Sequence, residues 1–178
     1  MKKLFFICLM CILIATSCSP KLVPLIGANV ASVNGDNADS FDSRIGINGG
    51  VLVRTTASDQ IDVETGLVYS QQGADYSESM YSGKYKLDYL NIPIMARFQV
   101  ADGFVLQAGP QIGFLMSATD EYDFDGESGE EDVKDFLKGT DFGINLGAGY
   151  EFPGGFGIDA TYNFGLTHVA VSPGLSEL

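Results

Sequence analysis

The run Glu121-Tyr122-Asp123-Phe124-Asp125-Gly126, followed by Asp132, has the spacing of an oxygen cage for a hard cation. Carboxylates fall at the first, third, fifth and twelfth positions and a glycine at the sixth, as in a calcium-binding loop. Glu stands first and Asp last, however, and no helical pattern flanks the run, so a solvated acidic loop is the plainer reading. A second charged set is Arg54, Asp62, Glu64, Arg97 and Glu151. Each lies on the polar side of an otherwise apolar stretch, so the set forms ion pairs or lines a permeation path. His168 is the only histidine. No metalloprotease, nucleophile-elbow or dithiol motif is present, and Gly147-Ala148-Gly149 lacks the third glycine and the helix of a dinucleotide loop. The sequence therefore predicts no enzyme and no cofactor beyond Ca2+ on the acidic run.

Residues 1–17 have the form of a signal peptide. Lys2-Lys3 precede the apolar Leu4–Ala15 segment, and Ala15-Thr16-Ser17 offers a small-x-small cleavage site. The apolar run is too short for a spanning helix. Cys18 then stands at or next to the new N-terminus. Ile14-Ala15-Thr16-Ser17-Cys18 resembles a lipoprotein box, with Thr16-Ser17 departing from its usual pair, so Cys18 is either a lipidation site or a chance cysteine. Cys8 and Cys11 leave with the signal, so no internal disulfide is expected. Loss of Lys2 and Lys3 takes the formal charge from −13 to about −15, which argues against nucleic acid as a partner.

Residues 18–178 read as one domain of strands. The clearest stretch is Asp141–His168. Phe142, Ile144, Leu146, Ala148, Tyr150 and Phe152 alternate with Gly, Asn and Asp, and after Pro153-Gly154-Gly155 the alternation resumes from Phe156 to Leu166. A period of two over about a dozen residues describes a strand long enough to cross a bilayer at a tilt. The face of Gly, Asn, Asp and Thr cannot form a dry core, whereas the apolar face suits lipid. Similar strands are expected at Val23–Val33, Arg44–Arg54, Ile61–Gln71, Lys84–Val100 and Phe104–Met116. Within Lys84–Val100 the apolar parity changes between Tyr89 and Leu90, which predicts a β-bulge beside Pro93.

The connections alternate in length. Ala57–Gln60, Ala101–Gly103 and Pro153–Gly155 are short, while Asn34–Asp42, Gly73–Gly83 and Ser117–Thr140 are longer and mostly acidic. Short turns on one side and long loops on the other are the habit of transmembrane barrels. Tyr76, Tyr81 and Tyr122 fall in or beside the long loops, where they are candidates for contact with a protein partner.

Tyr89-Leu90-Asn91-Ile92-Pro93-Ile94-Met95-Ala96-Arg97-Phe98, then Gly109-Pro110-Gln111-Ile112-Gly113-Phe114, then Gly143–Glu151, resemble the small outer membrane β-barrel proteins common in Bacteroidetes, the group that includes PorT-like proteins. The resemblance implies an all-β, antiparallel, up-and-down transmembrane β-barrel in the outer membrane, with lipid as its surroundings. It also implies eight strands, whereas seven are visible, so the last strand is expected to be missing from the sequence; a strand supplied by another chain and closure between the first and seventh strands are the alternatives. The function expected is structural, anchoring or surface interaction. The alternatives are a porin-like or secretory component of outer membrane transport, and a soluble lipocalin-like carrier with its apolar face inward.

Overall fold

The computed structural model describes residues 19–32, 41–78, 81–124 and 127–167. The strands are β1 (Lys21–Ala31), β2 (Phe41–Ser58), β3 (Ile61–Glu78), β4 (Tyr81–Ala101), β5 (Phe104–Phe124), β6 (Glu127–Asp132), β7 (Thr140–Glu151) and β8 (Gly157–Gly165). All pairings are antiparallel. The sheet runs β1-β2-β3-β4-β5-β7-β8, and β6 pairs with β5 off this path. It curls into a partial barrel whose two end strands are β1 and β8.

The alternation sets the faces. Ile26 (91% exposed), Ile47, Leu67, Ile94, Leu106, Leu146 and Tyr162 point outward. Glu64, Ser70, Asn91, Arg97, Gln107 and Asn145 point inward and are buried. A soluble carrier would require the reverse. On β5 the outward apolar residues run from Phe104 to Met116, about 40 Å of strand. At a tilt of about 45° they cover about 28 Å of height, close to the ~25 Å apolar band of outer membrane barrels.

β3, β4 and β5 continue past this band, so much of Gly73–Gly83 and the start of Ser117–Thr140 are strand rather than loop. Asp75, Lys84, Glu121 and Glu130 fall in one row across β3, β4, β5 and β6, bringing charges of both signs side by side. Lys86 forms an ion pair with Glu121. Tyr76 lies over Gly83, and Tyr122 over Gly129; a Cβ at either glycine would strike the ring above it at 2.1–2.4 Å. Of the remaining acidic stretch, Glu127–Asp132 forms β6 and Lys134–Phe136 a single 3-10 turn.

The bulge expected in β4 is on its neighbour. Asp88 pairs with Ser117 and Tyr89 with Leu115, so the extra residue is Met116 of β5. From Leu87 to Phe98 β4 keeps one parity, and Leu87 and Tyr89 face inward with Asn91, Met95 and Arg97. What changes along β4 is the chemistry of the inward face. The β3–β4 ladder lapses at Ile92 and Pro93, and the β4–β5 ladder at Ile94 and Met95 opposite Pro110, both without a change of register; a proline has no N–H to donate.

Candidate functional site

The inward face is stacked in layers. At the short-turn end, the Arg54 Nε donates to Glu64, and its Nη1 lies 2.6 Å from Glu151 Oε1. Arg97, 3% exposed, sends Nη2 to the same Glu151 oxygen at 2.9 Å and Nη1 to Asp159 Oδ1 at 3.1 Å. Arg97 Nη1 also donates to Gln107 Oε1 at 2.7 Å, and Gln107 Nε2 donates to Thr161 Oγ1 at 2.9 Å. Arg97 Nε makes no hydrogen bond and lies 3.7 Å from Glu64 Oε1. Five strands thus contribute charges to one network: β2, β3, β4, β7 and β8.

Of the charged set read from the sequence, Arg54, Glu64, Arg97 and Glu151 come together. Asp62 sits opposite Arg97 in the register, yet it forms no ion pair among the described residues. The guanidinium of Arg97 instead reaches toward β7 and β8, where Asp159 takes a place in the network.

β7 makes room for that reach. Gly143, Gly147 and Gly149 share its inward face. A Cβ at Gly149 would meet Asp159 Oδ1 at 1.9 Å, at Gly147 the Ala160 carbonyl at 2.6 Å, and at Gly143 Asn163 Nδ2 at 2.6 Å. The side chains of β8 cross over these bare positions into the interior. The repeated glycines of Gly143–Glu151 are the sequence signal for this close approach.

The next layer is made of amides. Asn163 Nδ2 donates to Asn145 Oδ1 at 2.7 Å, and Asn145 Nδ2 donates to Gln111 Oε1 at 3.0 Å. Above it lies an apolar layer of Leu87, Tyr89, Leu115 and Ala118, with Val133 and Leu137 packed against it. The β6–β7 connection is held there by Val133 N–H to the Ala118 carbonyl at 3.0 Å, Leu115 N–H to the Gly139 carbonyl at 2.9 Å and Lys134 Nζ to the Met116 carbonyl at 2.8 Å. This roof is not evident in the sequence. Its only signal is that Leu87 and Tyr89 keep the parity of Asn91 and Arg97.

Among the described residues no three carboxylates converge. Glu121 and Asp123 lie on β5, and Glu121 is engaged by Lys86. Asp132 lies on β6 and accepts from the Lys134 N–H at 2.9 Å. Glu121 and Asp123 on β5 and Asp132 on β6 are thus spread along paired strands. Asp125, Cys18 and His168 lie outside the described residues. Tyr76 donates to Asp120 Oδ1 at 2.8 Å and stacks at a tilt on Tyr85, 5.3 Å between centroids, so it belongs to the inner wall of the outer extension.

Apolar strands facing outward, a polar interior and long antiparallel hairpins define a protein that crosses a membrane by strands. No helix among the described residues is long and apolar enough to do so. The chain matches the model of the outer membrane protein beta-barrel domain over residues 21–171, and it belongs to that family. It is an outer membrane β-barrel protein, located in the outer membrane. No curated protein matches the chain significantly. By the habit of the class, the short turns face the periplasm and the long hairpins face outward.

Proposed function

We propose that the protein is a non-conducting, non-enzymatic anchor that displays its outer hairpin sheet to a protein partner at the cell surface. The observation that carries this reading is the filled interior: an ionic layer, an amide layer and an apolar roof lie in series between the periplasmic and outer ends. A small barrel whose inward side chains satisfy one another has no continuous water path. The outer extension, by contrast, presents Lys84, Glu121, Glu130 and neighbouring acids on a rigid ladder. In planar bilayers the protein is expected to give no stepwise conductance at either polarity. Regular single-channel steps from the purified protein would overturn the reading.

The PorT-like resemblance of Tyr89–Phe98 supports a second reading, a component of protein secretion across the outer membrane. With the interior filled, that role would be docking rather than conduction. Cross-linking in living cells from cysteines placed on β6 tests it. Adducts to secretion components favour this reading, and adducts only to surface proteins outside any secretion system count against it.

A further inference from the structure

β6 pairs with β5 and with no other strand among the described residues, so its second edge is open. It lies opposite Thr119–Phe124, above the outward apolar run of β5 that ends at Met116. The edge therefore stands in water, which can satisfy its backbone groups until a strand replaces it. The ladder fixes which groups face that way. Val133 N–H donates to the Ala118 carbonyl at 3.0 Å. Bonded and non-bonded pairs alternate along an antiparallel ladder. Glu127, Gly129 and Glu131 thus exchange bonds with β5, whereas Ser128, Glu130 and Asp132 turn their N–H and C=O groups to the open side. Glu127, Glu130, Glu131 and Asp132 are all exposed, and none of them is in an ion pair among the described residues. The nearby Lys134 Nζ goes to the Met116 carbonyl instead. Tyr122 covers Gly129, and the connection after β6 is pinned to β5, so the edge is set before anything binds. A preset edge lowers the ordering cost of association.

Resting on the reading of the outer sheet as a surface for a protein partner, we infer that the open edge of β6 takes up an extended, Lys- or Arg-bearing segment of that partner as an added strand. Main-chain hydrogen bonds to Ser128, Glu130 and Asp132 hold the segment, and its alternate side chains decide which segment is held. Glu130 and Asp132 share one face of β6, so the cations of the segment fall at every second position, on that face. The same carboxylates reject a second copy of the chain. Two β6 edges joined about Glu130 set carboxylate against carboxylate. An acidic segment is refused for the same reason.

The test uses the full-length protein in detergent micelles, with folding checked by heat-modifiable migration. The probe is a capped peptide that alternates Lys with Thr and Val, and amide hydrogen exchange is read residue by residue along β6. In the protein alone, Gly129 and Glu131 are expected to be protected, and Ser128, Glu130 and Asp132 to exchange freely. The peptide should slow the latter three by about tenfold or more, the worth of one net hydrogen bond. Ser128→Pro removes an edge donor and no charge, and should weaken peptide binding about tenfold. A peptide of the same sequence with alternate backbone nitrogens methylated should lose at least as much on the unaltered protein. Glu130→Lys with Glu131→Lys leaves the backbone intact and should abolish binding. Protection of Ser128, Glu130 and Asp132 without peptide would mean that another segment or a second copy already covers the edge, and would overturn the inference. A peptide that does not bind overturns it as well. So does one that binds without slowing these amides, or whose binding survives both Ser128→Pro and methylation, since contact is then by charge alone. In each of these cases, protein adducts from cysteines on β6 in living cells still uphold the surface reading, and their absence removes that reading independently.

Discussion

Arg97 is the residue on which the interior depends most. Two of its three nitrogens reach carboxylates on β7 and β8, and the third lies unbonded near Glu64. Removing one partner of a buried ion pair costs about 3–5 kcal/mol. Glu151 and Asp159 retain water contact, so Arg97→Ala is expected to cost about 2–3 kcal/mol, read as a lower urea midpoint for loss of the heat-modifiable band. Arg97→Met combined with Asp159→Asn removes the guanidinium together with a carboxylate whose ion pair among the described residues is to it. It should recover part of the loss, because replacing both members of an ion pair costs less than leaving one of them unpaired. An Arg97→Ala protein with the wild-type midpoint would show that the network contributes nothing to stability. The glycines in and just before β7 give a second ranking. Gly147→Ala meets a backbone carbonyl and should cost about 1–3 kcal/mol as overpacking. Gly149→Ala meets the tip of the Asp159 side chain, which can swing away with loss of the Arg97–Asp159 contact, and stands 3.1 Å from the Ile158 carbonyl, farther than the 2.6 Å carbonyl contact at Gly147, so it should cost less. Gly139→Ala, with nothing within 4 Å, should be neutral. The three midpoints should fall in that order, and a Gly139→Ala midpoint below that of Gly147→Ala would refute the packing argument.

At the scale of elements, the sequence reads clearly where one strand carries its own signal. The outward parity of β5, β7 and β8, and the three short turns, follow from alternation within single segments. The outer extension does not, because its reasons lie between strands. Gly73, Gly83, Tyr76 and Ser82 have the composition of a loop. They are held extended by the Asp75–Lys84–Glu121 row and by tyrosines covering glycines on the neighbouring strand. The ionic layer is intermediate. The inward parity gave four of its members, but which carboxylates Arg97 would choose depends on how far β8 crosses over β7. The roof is the least legible element, since Val133 and Leu137 come from a stretch whose acidic composition reads as solvated. Leu137→Ala removes a half-buried contact and should cost about 1–2 kcal/mol, at or below the low end for a fully buried leucine. Its more direct readout is proteolysis of intact cells, where cleavage between 127 and 139 should accelerate while cleavage elsewhere stays unchanged. Equal rates in both proteins would mean that the connection is not held by this contact.

For the whole molecule, the layers act in series, and that ordering makes the closed state robust. An ion entering from outside would meet the apolar layer of Leu87, Tyr89, Leu115 and Ala118 under Val133 and Leu137, then the Gln111–Asn145–Asn163 amides, then the Arg54–Arg97 network. Opening one layer leaves the other two in the path. A Leu137→Ala protein is therefore expected to be as silent in planar bilayers as the wild type, and so is Arg97→Ala. Only a protein altered in both layers, with Arg97→Ala and residues 127–139 replaced by a short glycine-serine link, leaves the narrow amide layer as the sole barrier. Conductance, where it is found at all, should be confined to that combined variant. If Leu137→Ala alone conducted, the ionic layer would not be a barrier, and the roof would be the single gate of a channel rather than one part of a filled anchor.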